Sequence, residues 1–535
     1  MTQVSPDSAE TLAPASDPGL PRRATADMSP IAYGVGLALI VTLGFALRAY
    51  ALGEFSLTHW DEGLAWRGAQ WFASAGELGH YSPTHAPPLA SLVFSMTSFL
   101  GDGPQVAVWA SVLASCLGIL AAARLARELA GRVAGLLAAS CLAVSALHVM
   151  YARSLLTESL YSLFLLAMLA SALAGLRTSR MRDFVFAGLV GAALQATKYN
   201  GFVAVGVVAL FMLAQGRRRQ AELRPLCVRT ALVVGPTLLV MVLNLALIHL
   251  TGDLSAFFEH YGRYVGQAAD AGDLVRSFTW LCVDPLTCTV AVIALILGMR
   301  RERARMALVA ALLLAYVLFA ARYALYLRLL LPIASLCLVM AGTAAGFVAE
   351  RSRKTAIGLS AVVLLSLSQA WWSPPVPHAL YSDFGGYANA EQSLGLTTRK
   401  ELPLYATQAF VWSEAATQRA GHAAVVANPS GTKAAAFLEE RGREPVLFLY
   451  DIGAFSRQRD WSLWDLHDRF REHASYRRLD NSLNLDCIQN NLSLRDLQRL
   501  ERSPELIDAV LGIHAVEMPA DELLLWVQGA RVAEE

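Results

Sequence analysis

Ala86-Pro87-Pro88-Leu89-Ala90-Ser91-Leu92-Val93-Phe94-Ser95-Met96-Thr97-Ser98-Phe99-Leu100 is an apolar run of only 15 residues that opens on two prolines. A helix needs roughly 20 apolar residues to cross a bilayer. Whether this run crosses fixes the sidedness of everything after it. Eleven other apolar stretches surround it, at about 31–52, 104–123, 133–150, 156–176, 183–197, 201–215, 229–250, 281–299, 305–321, 327–349 and 355–372. Cytoplasmic loops collect arginine and lysine. With 86–100 lying in the interface, Arg124…Arg132, Arg177…Arg182, Arg217-Arg218-Arg219, Arg300…Arg305 and Arg351…Lys354 all share the side of Arg22-Arg23. With 86–100 spanning, those five clusters fall opposite it. The chain therefore reads as eleven transmembrane helices, N-terminus cytoplasmic and C-terminus outside. The runs 183–197 and 201–215 are short, and a break is expected at Lys198-Tyr199-Asn200-Gly201.

Composition agrees. The 535 residues are 55% hydrophobic and 16% charged, with a mean hydropathy of +0.43, whereas soluble domains carry about 25% charged residues. Disorder, coiled coil and collagen-like repeats are excluded by the same figures. Lys+Arg (44) and Asp+Glu (43) nearly cancel, so no basic footprint for nucleic acid exists. The balance hides about eight excess positive charges up to Trp372 and seven excess negative charges after it. The seven cysteines are scattered, six of them in apolar stretches and Cys487 in the polar tail, which is neither a disulfide framework nor a zinc pattern.

Three regions follow. Residues 1–30 read as a disordered cytoplasmic tail and not as a signal peptide, because the apolar run that follows is too long and lacks a small-residue cleavage site. Residues 31–372 form the membrane domain, with a long outer loop at 53–103. After Trp371-Trp372-Ser373-Pro374-Pro375 the composition turns polar and acidic. Residues 373–535 alternate runs such as Pro445–Tyr450 with helical stretches such as Asp496–Val510, and are expected to be a soluble α/β domain on the outer face. Asn491-Leu492-Ser493 has the form of a glycosylation sequon.

The outer face gathers the residues that can do chemistry. Asp61-Glu62 follows the first span and opens a helix containing Leu64, Trp66, Ala69 and Phe72. A carboxylate there can act as general base on an acceptor; Asp is equally suited to capping the helix. Arg153 and Glu158 flank the turn between two spans, and Glu158 is an acid at the head of a long apolar helix, where ionisable groups are functional candidates. Arg153 alone reads better as an interfacial snorkelling arginine. Lys198 is the one lysine of the membrane part away from the cytoplasmic face. At a broken helix, beside Tyr199, it suits a lipid phosphate, and a snorkelling interfacial lysine fits it as well. Arg322, Tyr323, Tyr326 and Arg328 add cationic and phenolic groups, as an aromatic belt with flanking arginines also would. Glu259, His260, Arg263 and Tyr264 lie in the 251–280 loop. His85 could position phosphate or join Glu62 or His260 at a metal, a weak ligand set. No metal residues are assigned, and a divalent cation stays an open option. No Walker loop, dinucleotide fingerprint or G-x-S-x-G elbow is present.

Together these residues resemble the GT-C membrane glycosyltransferases, in particular the protein O-mannosyltransferase and aminoarabinose transferase branch. In that fold a first span is followed by an outer loop with an acidic Asp-Glu pair, matched by Asp61-Glu62. A His/Lys-Pro-Pro-Leu motif then introduces a second interfacial helix; here it reads His85-Ala86-Pro87-Pro88-Leu89, with one alanine inserted. Arg153…Glu158 loosely matches an Arg-x-x-x-(Asp/Glu) motif before the fourth span, and Lys198 matches a lysine after the fifth. The resemblance covers the membrane part to about 372. It implies a glycosyltransferase moving a hexosyl or pentosyl unit from a polyprenyl-phosphate donor to a protein, lipid or glycan acceptor. The setting it implies is a bacterial plasma (inner) membrane. It further implies inverting single displacement with Asp61 as base, Glu62 and Glu158 as fellow acids, and His85 and Tyr199 as positioning groups. Lys198, Arg153, Arg263, Arg322, Arg328 and Tyr323 would then hold the donor phosphate.

The competing reading is a polytopic transporter or lipid flippase. Transporters show paired halves and midplane polar groups; this sequence shows neither. Within the enzyme class, oligosaccharyltransferases carry a Trp-Trp-Asp pattern, which Trp371-Trp372-Ser373-Pro374 does not match.

Overall fold

The computed structural model describes residues 28–50, 52, 57, 60–79, 81–101, 103–218, 223–251, 254–264, 284–322, 327–369, 371, 390, 392–395, 403–406, 425–427, 432–450, 467, 469–481 and 512–532. Calls on Arg22-Arg23, Tyr323, Tyr326, Cys487, Asn491 and the stretch Asp496–Val510 lie outside them.

The first helix, α1 (Pro30–Ala49), starts where its sequence says it should: the Ser29 hydroxyl accepts the N–H of Ala32 and Pro30 sits at its first turn. The short helix α2 (Trp60–Ala73) follows, and then α3 (Leu89–Ser95) with a 3-10 turn at Ser98–Leu100. Seven residues of α3 rise about 10 Å, far short of a bilayer core, so 86–100 does not build a spanning helix.

The next element, α4 (Pro104–Val144), is 41 residues long but breaks at Ala130 and Gly131, whose φ values are −148° and +85°. A Cβ placed on Gly135 would meet the carbonyl of Ala123 at 2.8 Å. Residues 12 apart in a straight helix would lie about 18 Å apart, so the chain reverses there into two antiparallel helices, as the separate apolar runs 104–123 and 133–150 require. After α5 (Ala146–Ala152) come α6 (Glu158–Thr178), α7 (Met181–Thr197) and α8 (Gly201–Arg218). The expected break at Lys198–Gly201 separates α7 from α8. The remaining helices of this part are α9 (Leu223–Thr251), α10 (Leu254–Tyr264), α11 (Pro285–Arg301), α12 (Arg303–Arg322), a 3-10 turn (Leu327–Leu330) running into α13 (Leu331–Ala349), and α14 (Arg353–Gln369). Among the described residues six helices are long and apolar enough to cross a membrane: α1, α4, α6, α9, α12 and the 328–349 helix.

These six differ in what surrounds them. One face of α1 is exposed, with Ile31, Val35, Leu39 and Leu43, while Tyr33, Gly44 and Arg48 are buried; the 328–349 helix is buried through its whole apolar window. That burial depends on small residues. A Cβ on Gly342 would meet the Ala138 backbone nitrogen at 2.5 Å, and one on Gly346 would meet the Ala130 carbonyl at 2.5 Å. The G-x-x-x-G spacing lets two helix backbones touch where lipid offers no hydrophobic drive.

Two ends of the bundle have opposite chemistry. At one, Arg132 donates to the Met28 carbonyl, Arg127 lies over Tyr33, Arg177 pairs with Glu128, Arg305 donates to the Glu128 carbonyl and Arg301 pairs with Glu350. These are members of the arginine clusters that the sequence placed on one side. The other end carries Asp61, Glu62, Glu158, Lys198 and Arg328. The tail folds as a five-stranded mixed sheet of order β2-β1-β3-β5-β4, comprising β1 (Leu404–Ala406), β2 (Val425–Ala427), β3 (Pro445–Tyr450), β4 (Arg477–Asn481) and β5 (Gly512–Pro519). The first three run parallel and β5 pairs antiparallel with both β3 and β4. Helices α15 (Thr432–Arg441) and α16 (Ala520–Val532) accompany it.

Candidate active site

Asp61 and Glu62 are consecutive in the first turn of α2 and face different surroundings. Asp61 is half-buried, its side chain 34% exposed, and its Oδ2 accepts from Nη1 of Arg328 in the 3-10 turn before α13. Glu62 is fully buried, and its Oε1 accepts the N–H of Leu155 at 2.8 Å. A buried carboxylate that receives a backbone N–H fixes the turn between α5 and α6 to the start of α2. The sequence groups Glu62 with the catalytic acids; the structure places its carboxylate against the Leu155 N–H.

Glu158 heads α6 and is 2% exposed; its Oε1 lies 2.7 Å from Nζ of Lys198. Asp61 and Arg328 both lie within electrostatic range of Glu158. Four residues from four separate places in the chain therefore form one cluster of two acids and two bases. The two pairs differ in strength. Removing one partner from a buried pair costs about 3–5 kcal/mol because the other charge is stranded, while a solvent-reached pair contributes only about 0–1 kcal/mol. Glu158–Lys198 is the first kind and Asp61–Arg328 approaches the second.

Lys198 owes its place to a local break. It leaves the end of α7 in an extended conformation, its N–H still bound to the Leu194 carbonyl. Nζ also lies 5.9 Å from the ring centre of Tyr161, one turn after Glu158, and the Tyr161 hydroxyl meets that of Tyr316 at 2.8 Å. Neither tyrosine was singled out in the sequence. The i, i+3 spacing of Glu158 and Tyr161 was the available signal; Tyr316, mid-way along an apolar run of α12, gave none.

His85 is exposed, with Nδ1 near the Ser82 and Thr84 hydroxyls at 2.9 and 3.3 Å. Its loop is clasped by three phenols: Tyr199 donates to the Pro83 carbonyl, Tyr81 to the Ala86 carbonyl at 3.1 Å and Tyr261 of α10 to the His85 carbonyl at 3.1 Å. Tyr199, Phe257 and Tyr261 pack ring to ring, with centres 4.8–5.6 Å apart. Burial pushes the Tyr81 and Tyr199 phenols up, which keeps both as proton donors to those carbonyls. The sequence proposed Tyr199 as a positioning group but did not single out Tyr261 or Tyr81.

Arg153 is buried, and burial pulls its guanidinium down to about 10, opposed by Tyr50. That placement departs from the snorkelling reading. Arg322 is exposed at the end of α12. The backbone of Arg263 lies in α10, but its side chain and those of His260 and Trp60, like the whole of Tyr323, are outside the described residues. The Glu62 carboxylate meets the Leu155 N–H and the His85 ring meets Ser82 and Thr84. Among the described residues no group of three or more His, Cys, Asp or Glu side chains could hold a metal ion.

Residues 85–246 match the family model for dolichyl-phosphate-mannose-protein mannosyltransferase. No curated protein matches the sequence significantly. Among solved structures, the apo oligosaccharyltransferase of Archaeoglobus fulgidus superposes with a TM-score of 0.56 at 12% identity, over 79% of this chain and 70% of that one. ArnT from Cupriavidus metallidurans, solved bound to undecaprenyl phosphate, gives 0.53 at 15% identity, over 84% of this chain and 96% of that one. The Archaeoglobus fulgidus oligosaccharyltransferase AglB, in complex with an inhibitory peptide and a dolichol-phosphate, gives 0.52 at 12% identity, over 78% and 69%. The segment that matches the family model begins at His85 and runs through Glu158 and Lys198, and the chain shares the fold of these solved structures over most of its length.

Proposed function

We propose that the protein transfers a sugar from a polyprenyl-phosphate donor to an acceptor at the outer face of the membrane. The observation that carries this is the meeting of Asp61, Arg328, Glu158 and Lys198 at the end of the bundle opposite the arginine-rich one. Lys198 and Arg328 are the cations for the donor phosphate, and Asp61 is the general base. It takes the proton from the acceptor as that atom bonds to the anomeric carbon. The bond from that carbon to the phosphate oxygen breaks, polyprenyl phosphate leaves and the anomeric configuration inverts. Arg153 and Glu62 act on this site through the α5–α6 turn.

The topology proposed with it has eleven spans, the N-terminus in the cytoplasm and the sheet-bearing tail outside, in a bacterial plasma membrane. The segregation of arginines to one end supports it. Reporter fusions at residues 75 and 535 check the sidedness, and a cytosolic signal at residue 75 overturns it. The chemistry is tested by incubating the purified protein with radiolabelled polyprenyl-phosphate hexoses and pentoses and an extract of envelope acceptors. Wild type transfers label and Asp61→Asn does not. An active Asp61→Asn protein removes Asp61 from the role of base.

A further inference from the structure

We propose that Arg328 is held by two anions in turn, by Asp61 before the donor arrives and by the lipid phosphate afterwards, so that donor binding itself releases the base. This deepens the transferase reading and rests on it. The cluster already contains as many carboxylates as cations: Asp61 on Arg328 and Glu158 on Lys198. A phosphate entering a site whose charges are matched must displace one carboxylate or sit beside it at a cost in repulsion.

Exposure decides which carboxylate yields. The Glu158 side chain is 2% exposed, and pulled from Lys198 it would be a buried charge without its counter-ion. The Asp61 side chain is 34% exposed and can turn to water or to the acceptor. The displaced partner is therefore Asp61. The cation it gives up is the better phosphate ligand, because a guanidinium presents a planar fork of donors that matches phosphate oxygens. A carboxylate released from a guanidinium is also a stronger proton acceptor than one tied to it. The base then becomes competent only when there is a sugar to receive the acceptor, and donor binding precedes acceptor activation.

The test is the affinity of the full-length protein in nanodiscs for undecaprenyl phosphate. Removing the competing carboxylate with Asp61→Asn should tighten binding about threefold to fivefold, the worth of one partly exposed pair. Arg328→Gln should weaken it about tenfold or more, as loss of a charged hydrogen-bond donor does. In the Arg328→Gln background, Asp61→Asn should have no further effect. Thermal unfolding in the same nanodiscs checks folding, and Asp61→Ser replaces Asp61→Asn if the latter is destabilised. Unchanged or weaker binding by the folded Asp61 variant overturns the exchange and leaves the transferase reading standing. Tighter binding without sugar transfer from any polyprenyl phosphate tested overturns the transferase reading alone. Wild-type protein that does not bind undecaprenyl phosphate overturns both.

Discussion

Nζ of Lys198 lies 2.7 Å from Oε1 of Glu158, 40 positions earlier, and joins the end of α7 to the start of α6. Neither residue is where an apolar helix would place a charge for stability alone. Lys198→Met should destabilise the protein by about 3–5 kcal/mol, because Glu158 would remain buried without its cation. Adding Glu158→Gln should restore part of that loss. Thermal unfolding in detergent reads both; losses that simply add would show that the two side chains do not interact.

Glu62 and Asp61 should respond differently to the same chemical change. Glu62→Gln keeps an oxygen for the Leu155 N–H and should retain most transfer activity. Glu62→Ala strands that buried donor and should cost about 1–3 kcal/mol of stability with a matching loss of active protein. Asp61→Asn should leave stability near wild type while abolishing turnover. Equal turnover loss in Glu62→Gln and Asp61→Asn would place both acids in the chemistry.

The His85 loop depends on phenols from elsewhere in the chain. Tyr199→Phe removes the hydroxyl bound to the Pro83 carbonyl but keeps the ring against Phe257 and Tyr261. One buried hydrogen bond is worth about 1 kcal/mol, and the variant should raise KM for the donor severalfold with a smaller change in kcat. A kcat effect with unchanged KM would mean the clasp does not serve binding.

The C-terminal sheet should loosen in acid. The His467 ring is buried, with Nδ1 3.0 Å from the Tyr450 hydroxyl, and burial, aided by Arg471, pulls it from 6.5 down to about 4. Between those values the unfolded chain takes up a proton that the folded one refuses. The stability is whole above about pH 6.5 and drains as pH falls towards 4, by up to about 3 kcal/mol. Trp526, stacked on Phe470 with centres 5.1 Å apart, offers a fluorescence signal. His467→Phe should flatten the pH dependence; an unaltered slope would assign it to other groups.

Close backbone packing should be the least forgiving feature. Gly342→Val places carbon within 3 Å of the Ala138 backbone, and overpacking of this kind costs about 1–3 kcal/mol or more. The same change at Gly358, where a Cβ meets nothing within 4 Å, should be tolerated, as expression and size-exclusion profiles will report.

The sequence disclosed the fold through length and charge. Ala86–Leu100 was too short to span, and every arginine cluster could be put on the side of Arg22-Arg23 only if it did not; α3 has seven residues, and Arg127, Arg132, Arg177, Arg301 and Arg305 meet at one end. The break at Lys198 was legible because Asn200-Gly201 interrupts two apolar runs. Partnerships were not legible. That Asp61 meets Arg328 depends on contacts 267 residues apart, which no local periodicity encodes. The different surroundings of Asp61 and Glu62 were not legible either, because a linear string shows only their adjacency, while helical geometry turns neighbours in sequence about 100° apart. The small-residue seam of Gly342 and Gly346 was present in the string but hidden within an apolar run.

The helix that follows Arg328 is enclosed by protein on every side through its apolar length. Lipids therefore never wet it, and changes of bilayer thickness or composition reach it only through neighbours such as α4. Asp61, by contrast, is carried on α2, which is exposed at Trp71 and Ala73.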